Sequence, residues 1–165
     1  MSLLEYPVPG AWIREFPVVV PLDWSDPDQG TIELFVRELA DPDFRHRDLP
    51  LLTFLQGGPG GANPRPTDVS GWLAEALPHY RVVLVDQRGT GRSSPVDGAV
   101  ISALPDARTA ARYLLNFRAD SIVRDLEHVR RTCMLAQLRR RRRLLQHRAI
   151  GTQIPAQYDR AAFRK

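Results

Sequence analysis

The sequence predicts an α/β fold with a mixed sheet, in which an antiparallel hairpin precedes parallel strands with helices. Three observations point there. Residues 51–55 (Leu-Leu-Thr-Phe-Leu) and 81–85 (Arg-Val-Val-Leu-Val) are almost wholly apolar runs of strand length, as expected of strands buried on both faces. A helix-spaced apolar stripe lies between them, so the strands connect by a crossover and run parallel. Each run ends in a glycine-rich loop, and the working surface of such a sheet lies beyond the carboxyl ends of its strands.

Taken in order, Tyr6 to Pro9 is proline-punctuated and reads as extended. Val18, Val19 and Val20 form a short strand that stops at Pro21. Residues 23–30 are dense in turn formers. From Thr31 to Leu39 the β-rich alternation of Ile32, Leu34 and Val36 completes an antiparallel hairpin. Residues 41–48 are a polar connection to the Leu51 strand. Asp68 or Ser70 is placed to cap a helix carrying Trp72, Leu73, Ala76 and Leu77 on one stripe, ended by Pro78. Residues 95–105 read as loop, Asp106 opens a short helix, and Asp120 caps a better one whose Ile122, Leu126 and Val129 share a face.

A chain of 165 residues is long enough for one domain with a real core. One cysteine, Cys133, excludes an internal disulfide and fits a reducing compartment. Neither a secretory pattern nor a run of about 20 apolar residues occurs, which predicts a cytoplasmic protein without a membrane span. The formal charge of +4 divides unevenly: residues 1–132 sum to −4 and residues 133–165 to +8. The second segment contains five consecutive arginines, 139–143. The chain therefore divides into a partial α/β domain, 1–132, and a basic arginine-rich tail, 133–165, expected to be disordered or translated out of frame. Arginine without lysine in 1–132 suggests GC-rich codons, and a shifted frame through such codons yields arginine-rich sequence.

The first loop, Gln56-Gly57-Gly58-Pro59-Gly60-Gly61, has four glycines and a proline in six residues. It is either a tight turn or a stretch of bare backbone N–H groups open to an oxyanion. The second, Gly89-Thr90-Gly91-Arg92-Ser93, imitates a dinucleotide fingerprint but lacks the third glycine, and Pro95 stands where the helix should run. A phosphate loop needs a lysine that 1–132 does not contain. His46, His79, His128 and Cys133 show no metal-ligand spacing, so neither cofactor nor metal is expected. Asp86 and Arg88 are expected to pair at the strand end as a salt bridge shaping the loop.

Gln-Gly-Gly-Pro-Gly-Gly after one apolar strand and Val-Val-Leu-Val-Asp-Gln-Arg-Gly-Thr-Gly-Arg-Ser through the next closely resemble the prolyl aminopeptidases (proline iminopeptidases) of the α/β-hydrolase superfamily. Val-Pro-Leu-Asp-Trp at 20–24 and the segment 119–127 extend the resemblance to roughly residues 17–132. Gln56 departs from the family's usual His before the glycines. The resemblance implies an α/β-hydrolase sheet and release of N-terminal proline from peptides by a Ser-Asp-His triad. It implies an oxyanion loop at Gly57, Gly58, Pro59 and Gly60, with Gly58 the foremost N–H donor. Asp86, Arg88, Gly89 and Gly91 would support the site without performing chemistry.

The family's nucleophile elbow, Gly-x-Ser-x-Gly, is absent from the sequence, since none of the seven serines has glycines two residues away on both sides. Serine, acid and histidine are all expected beyond Thr132, so the chain reads as truncated before its triad and inactive alone. An incomplete sheet also predicts self-association. Two alternatives remain: an α/β-hydrolase of another class, such as an esterase or epoxide hydrolase, or a non-enzymatic anion- or nucleic-acid-binding module using the basic tail. The arginine run has no aromatic interleaving or nucleic-acid-binding fold behind it, which makes nucleic acid the weaker partner.

Overall fold

A computed structural model describes residues 3–56 and 60–149, with side chains through Arg139. Five strands form one sheet in the order β1-β2-β3-β5-β4. These are β1 (Leu4–Val8), β2 (Ala11–Pro21), β3 (Thr31–Ala40), β4 (Leu51–Phe54) and β5 (Arg81–Val85). β1, β2 and β3 pair antiparallel, β3 pairs antiparallel with β5, and β4 pairs parallel with β5. The crossover between β4 and β5 carries α1 (Trp72–Ala76), and α2 (Gly98–Ser102), α3 (Ala107–Leu115) and α4 (Ala119–Ala149) follow. The architecture is the expected mixed α/β sheet.

Alternation sorts the strands onto two faces. On one face Val18, Val20, Ile32, Leu34, Val36, Val83 and Val85 pack against Val129 and Cys133 of α4. On the other, Ala11, Ile13, Leu39, Val82 and Leu84 meet Leu73, Ala76 and Leu77 around α1. All five residues of β5 are buried, as expected of a strand covered on both sides, whereas all four of β4 are only half-buried.

The structure corrects several local expectations. β2 begins seven residues before Val18, because Ala11, Ile13 and Glu15 continue its buried alternation and Pro9 and Gly10 turn the chain from β1. Gly10 turns at φ 80, where a glycine meets no Cβ penalty. Neither Asp68 nor Ser70 caps α1; Gly71 precedes it, and the Ser70 hydroxyl donates to Asp68 instead. Trp72 does not join the buried stripe; it is 43% exposed and stacks on Phe54. The stretch read as loop holds α2, capped by Asp97 accepting from Val100 N at 2.9 Å. Asp106 caps α3 as expected, through Thr109 N at 2.7 Å. Asp120 lies in the first turn of α4 rather than at its cap.

The change in composition after Thr132 falls inside α4, whose backbone runs unbroken for 31 residues, about 46 Å at 1.5 Å per residue. Cys133 is fully buried, and Gln137 donates to Leu49 O at 3.3 Å. Residues 150–165 lie outside the described part. No helix among the described residues is long and apolar enough to cross a membrane.

Candidate active site

Parallel pairing brings the ends of β4 and β5 to one side of the sheet, so the two glycine loops become neighbours. The Gln87 side chain ties them by donating to Gln56 O at 3.1 Å. Of the expected oxyanion loop, Gly60 is exposed at φ 89 with open space where a Cβ would stand. Gly57, Gly58 and Pro59 lie outside the described residues.

Asp86 organises the second loop and anchors the exit of the first. It is 1% exposed. Its Oδ1 accepts from Asn63 N and its Oδ2 from Arg92 N, both at 2.8 Å. The guanidinium of Arg65 stands 4.0 Å from Oδ2. The Asp86 backbone carbonyl accepts from the Ser93 hydroxyl at 2.5 Å, and that hydroxyl oxygen accepts from Phe35 N at 2.8 Å. Ser94 continues the attachment, N to Glu33 O at 2.8 Å and Oγ from Glu33 N at 2.9 Å. The loop thereby pairs with β3 beyond the end of β5, satisfying backbone groups that the sheet would otherwise leave open.

Gly91 is required at the centre of this turn. Its φ is +56, and a Cβ there would fall within the Asp86 carboxylate and 2.9 Å from Ala62 Cβ. Gly89, at φ +79, lies against Phe117 and Val96, with a Cβ position 3.1 Å from the phenyl ring.

The expected Asp86–Arg88 pair does not form. The two residues take different partners: the Asp86 carboxylate is already engaged by the backbone N–H groups of Asn63 and Arg92. Arg88 turns to Asp125 of α4 and binds it bidentately, Nε to Oδ2 and Nη2 to Oδ1, each at 2.6 Å. Its remaining donors reach Leu22 O at 2.8 Å, Asn116 O at 2.6 Å and Pro21 O at 3.2 Å. All five guanidinium N–H groups are therefore used in a fully buried side chain. Asp125 Oδ1 also accepts from Trp24 Nε1 at 2.9 Å.

A second ionic group lies beneath the loop. Arg37 donates to Glu15 Oε1 through Nη2 at 2.5 Å and Nε at 2.9 Å, and its Nη1 reaches Pro64 O at 3.1 Å. Tyr6 Oη donates to the same Glu15 oxygen at 3.0 Å, and Arg92 Nη1 to Oε2 at 3.2 Å. Arg92 also lies over the Phe35 ring, 4.2 Å from its centroid. Burial pushes the Glu15 carboxyl up, but hydrogen bonds from Arg37 and Tyr6, with the charges of Arg37 and Arg92, outweigh it and hold the group below its ordinary 4.5.

Sequence reasoning missed Asn63, Asp125 and Glu15. Asp125 had a readable signal: Ser121, Asp125, Val129 and Cys133 follow one another at i+4 and are all buried, so an acid stands on an apolar stripe and demands a partner. Asn63, whose Nδ2 donates to Val85 O, follows a glycine loop and carries no such pattern.

An antiparallel β2–β3 pair joined to the parallel β4–β5 pair, with both glycine loops at one end, is a partial α/β-hydrolase arrangement. No family model matches the chain. A proline iminopeptidase of Aeromonas sobria is 46% identical over 130 residues, which make up 78% of this chain and 30% of that protein. Proline iminopeptidase aneH of Aspergillus aculeatus is 42% identical over 119 residues, 68% of this chain and 25% of its own length. Over that shared part the chain is homologous to the prolyl aminopeptidases of the α/β-hydrolase superfamily. It spans less than a third of the length of the curated relatives it matches.

Proposed function

We propose that this chain builds the oxyanion side of a serine aminopeptidase that releases N-terminal proline from peptides. The supporting observation is the junction of the two loops. Gln87 bonded to Gln56 O, and Asp86 bonded to Asn63 N, anchor the residues on either side of the first glycine loop to the second loop, and in this reading the backbone N–H groups between them serve as fixed donors. Fixed donors of this kind lower the barrier to acyl transfer, because they need no reorganisation as charge develops.

In this reading Gly58 N–H, with Gly57 beside it, donates to the oxyanion, and Pro59 and Gly60 shape the loop. Asp86, Arg88, Gly89 and Gly91 hold the frame. A serine of a Gly-x-Ser-x-Gly elbow attacks the prolyl carbonyl while a histidine takes its proton, and both come from sequence outside these 165 residues. The 165-residue chain by itself is inactive.

The test is a chimera in which residues 1–132 replace the matching part of the Aeromonas sobria proline iminopeptidase, assayed on L-proline 4-nitroanilide. Hydrolysis is expected. Gly58→Pro in the chimera, which deletes the N–H, is expected to lower kcat about 10²–10³-fold. A folded but inactive chimera, full kcat in Gly58→Pro, or turnover by the 165-residue chain alone would each overturn the reading.

A further inference from the structure

The first glycine loop leaves the sheet at a defined point. Arg81 N donates to Pro50 O at 2.9 Å, which sets the phase of the β4–β5 ladder. Continued past Phe54, a parallel ladder in this phase brings Gln56 N to Val85 O. β4 ends at Phe54, and Val85 O accepts from Nδ2 of Asn63. Only the nitrogen of a side-chain amide can bond a carbonyl, so this contact fixes which way the Asn63 amide faces. The same residue, 4% exposed, donates its backbone N–H to Asp86 Oδ1 at 2.8 Å. Asn63 thus grips two successive residues at the end of β5. At the entry to the loop Gln87 holds Gln56 O, and Gln56 Nε2 lies 3.6 Å from the position a Cβ of Gly61 would take.

We propose that Asn63 is a positioning residue for the oxyanion donors, its side chain standing in for the strand bond that β4 gives up where it turns into the glycine loop. A segment with four glycines in six residues loses much conformational entropy on ordering and does not hold one shape by itself. Donors that need no reorganisation therefore have to be fixed from outside the loop. The Nδ2 bond fixes the exit of the loop to the strand end, as the Gln87 bond fixes its entry. This role, which rests on the aminopeptidase reading above, requires a donor at Val85 O and not merely a side chain of the right volume.

The test has two arms. In the full 165-residue chain, the nuclear magnetic resonance order parameters of the Gly60 and Gly61 amides are expected to fall in Asn63→Ala, while those of β2 and β3 stay at wild-type values. In the Aeromonas chimera, natively folded Asn63→Ala and Asn63→Asp are expected to lower kcat about 10²-fold above neutral pH with KM unchanged. Beside Val85 O and the Asp86 carboxylate, the carboxyl introduced by Asn63→Asp is expected to take up its proton early as pH falls. It can then donate to Val85 O, so the ratio of its kcat to that of the parent chimera is expected to rise on acidification. Asn63→Ala has no proton to regain, and its ratio is expected to stay flat. Parental kcat in either variant, a flat ratio for both, or unchanged order parameters at Gly60 and Gly61 would overturn the proposal. Gly58→Pro separates the two readings. If it lowers kcat while the Asn63 variants do not, only the role of Asn63 falls; if it keeps full kcat, the aminopeptidase reading falls first.

Discussion

Gly91 shows how tightly one residue can constrain a loop. Its positive φ costs an L-residue about 1–2 kcal/mol, and crowding of the buried Asp86 carboxylate adds roughly 1–3 kcal/mol. Gly91→Ala is therefore expected to lower stability by about 2–4 kcal/mol in urea denaturation. Gly98→Ala is the control: the site is open and begins α2, so the change is expected to be neutral or stabilising by up to about 1 kcal/mol. Equal losses at the two sites would show that the Asp86 turn is not sterically closed. The glycines of this loop were visible in the sequence, but the reason for Gly91 was not. It depends on a carboxylate that Asn63 N and Arg92 N hold in place.

At the scale of elements, the Arg88–Asp125 pair fastens the second loop to α4 and to the end of β2. Removing one partner strands the other charge in the interior, so Arg88→Ala or Asp125→Ala is expected to cost about 3–5 kcal/mol by urea denaturation. Arg88→Lys is expected to recover only part of this, because an ammonium cannot supply the bidentate fork or five donors. Full recovery by lysine would mean that charge alone matters. The strands of this region were legible because β4 and β5 are short apolar runs punctuated by glycine. Asp106 was legible as a cap because its side chain acts three residues away. Pairing across the fold was not: Trp24 and Asp125 are 101 positions apart, and no local pattern joins them. The first half of β2 was equally hidden, since Arg14 and Glu15 look like surface residues until Glu38 and Arg37 are placed opposite them.

For the molecule as a whole, acid sensitivity follows from the group around Glu15, which joins β1, β2, β3 and the second loop. Its folded carboxyl titrates below 4.5. The stabilisation is thus complete above pH 4.5 and is lost as pH falls through the lower folded value. Melting temperature is expected to fall on acidification below pH 4.5, and Glu15→Gln is expected to flatten that decline. An unchanged slope in the variant would place the acid sensitivity elsewhere. The fold class and the family could be read from two motifs in order. The site frame could not, because it depends on buried ion pairs whose members lie on separate elements.

The Arg88 hub also bears on the order of events during synthesis. The guanidinium meets carbonyls of Pro21 and Leu22, made earlier, but it must wait for Asn116 and for Asp125, 37 positions later. While the chain emerges from the ribosome, the strands can pair before the second loop has its anchor. The loop takes its final form only when α4 arrives.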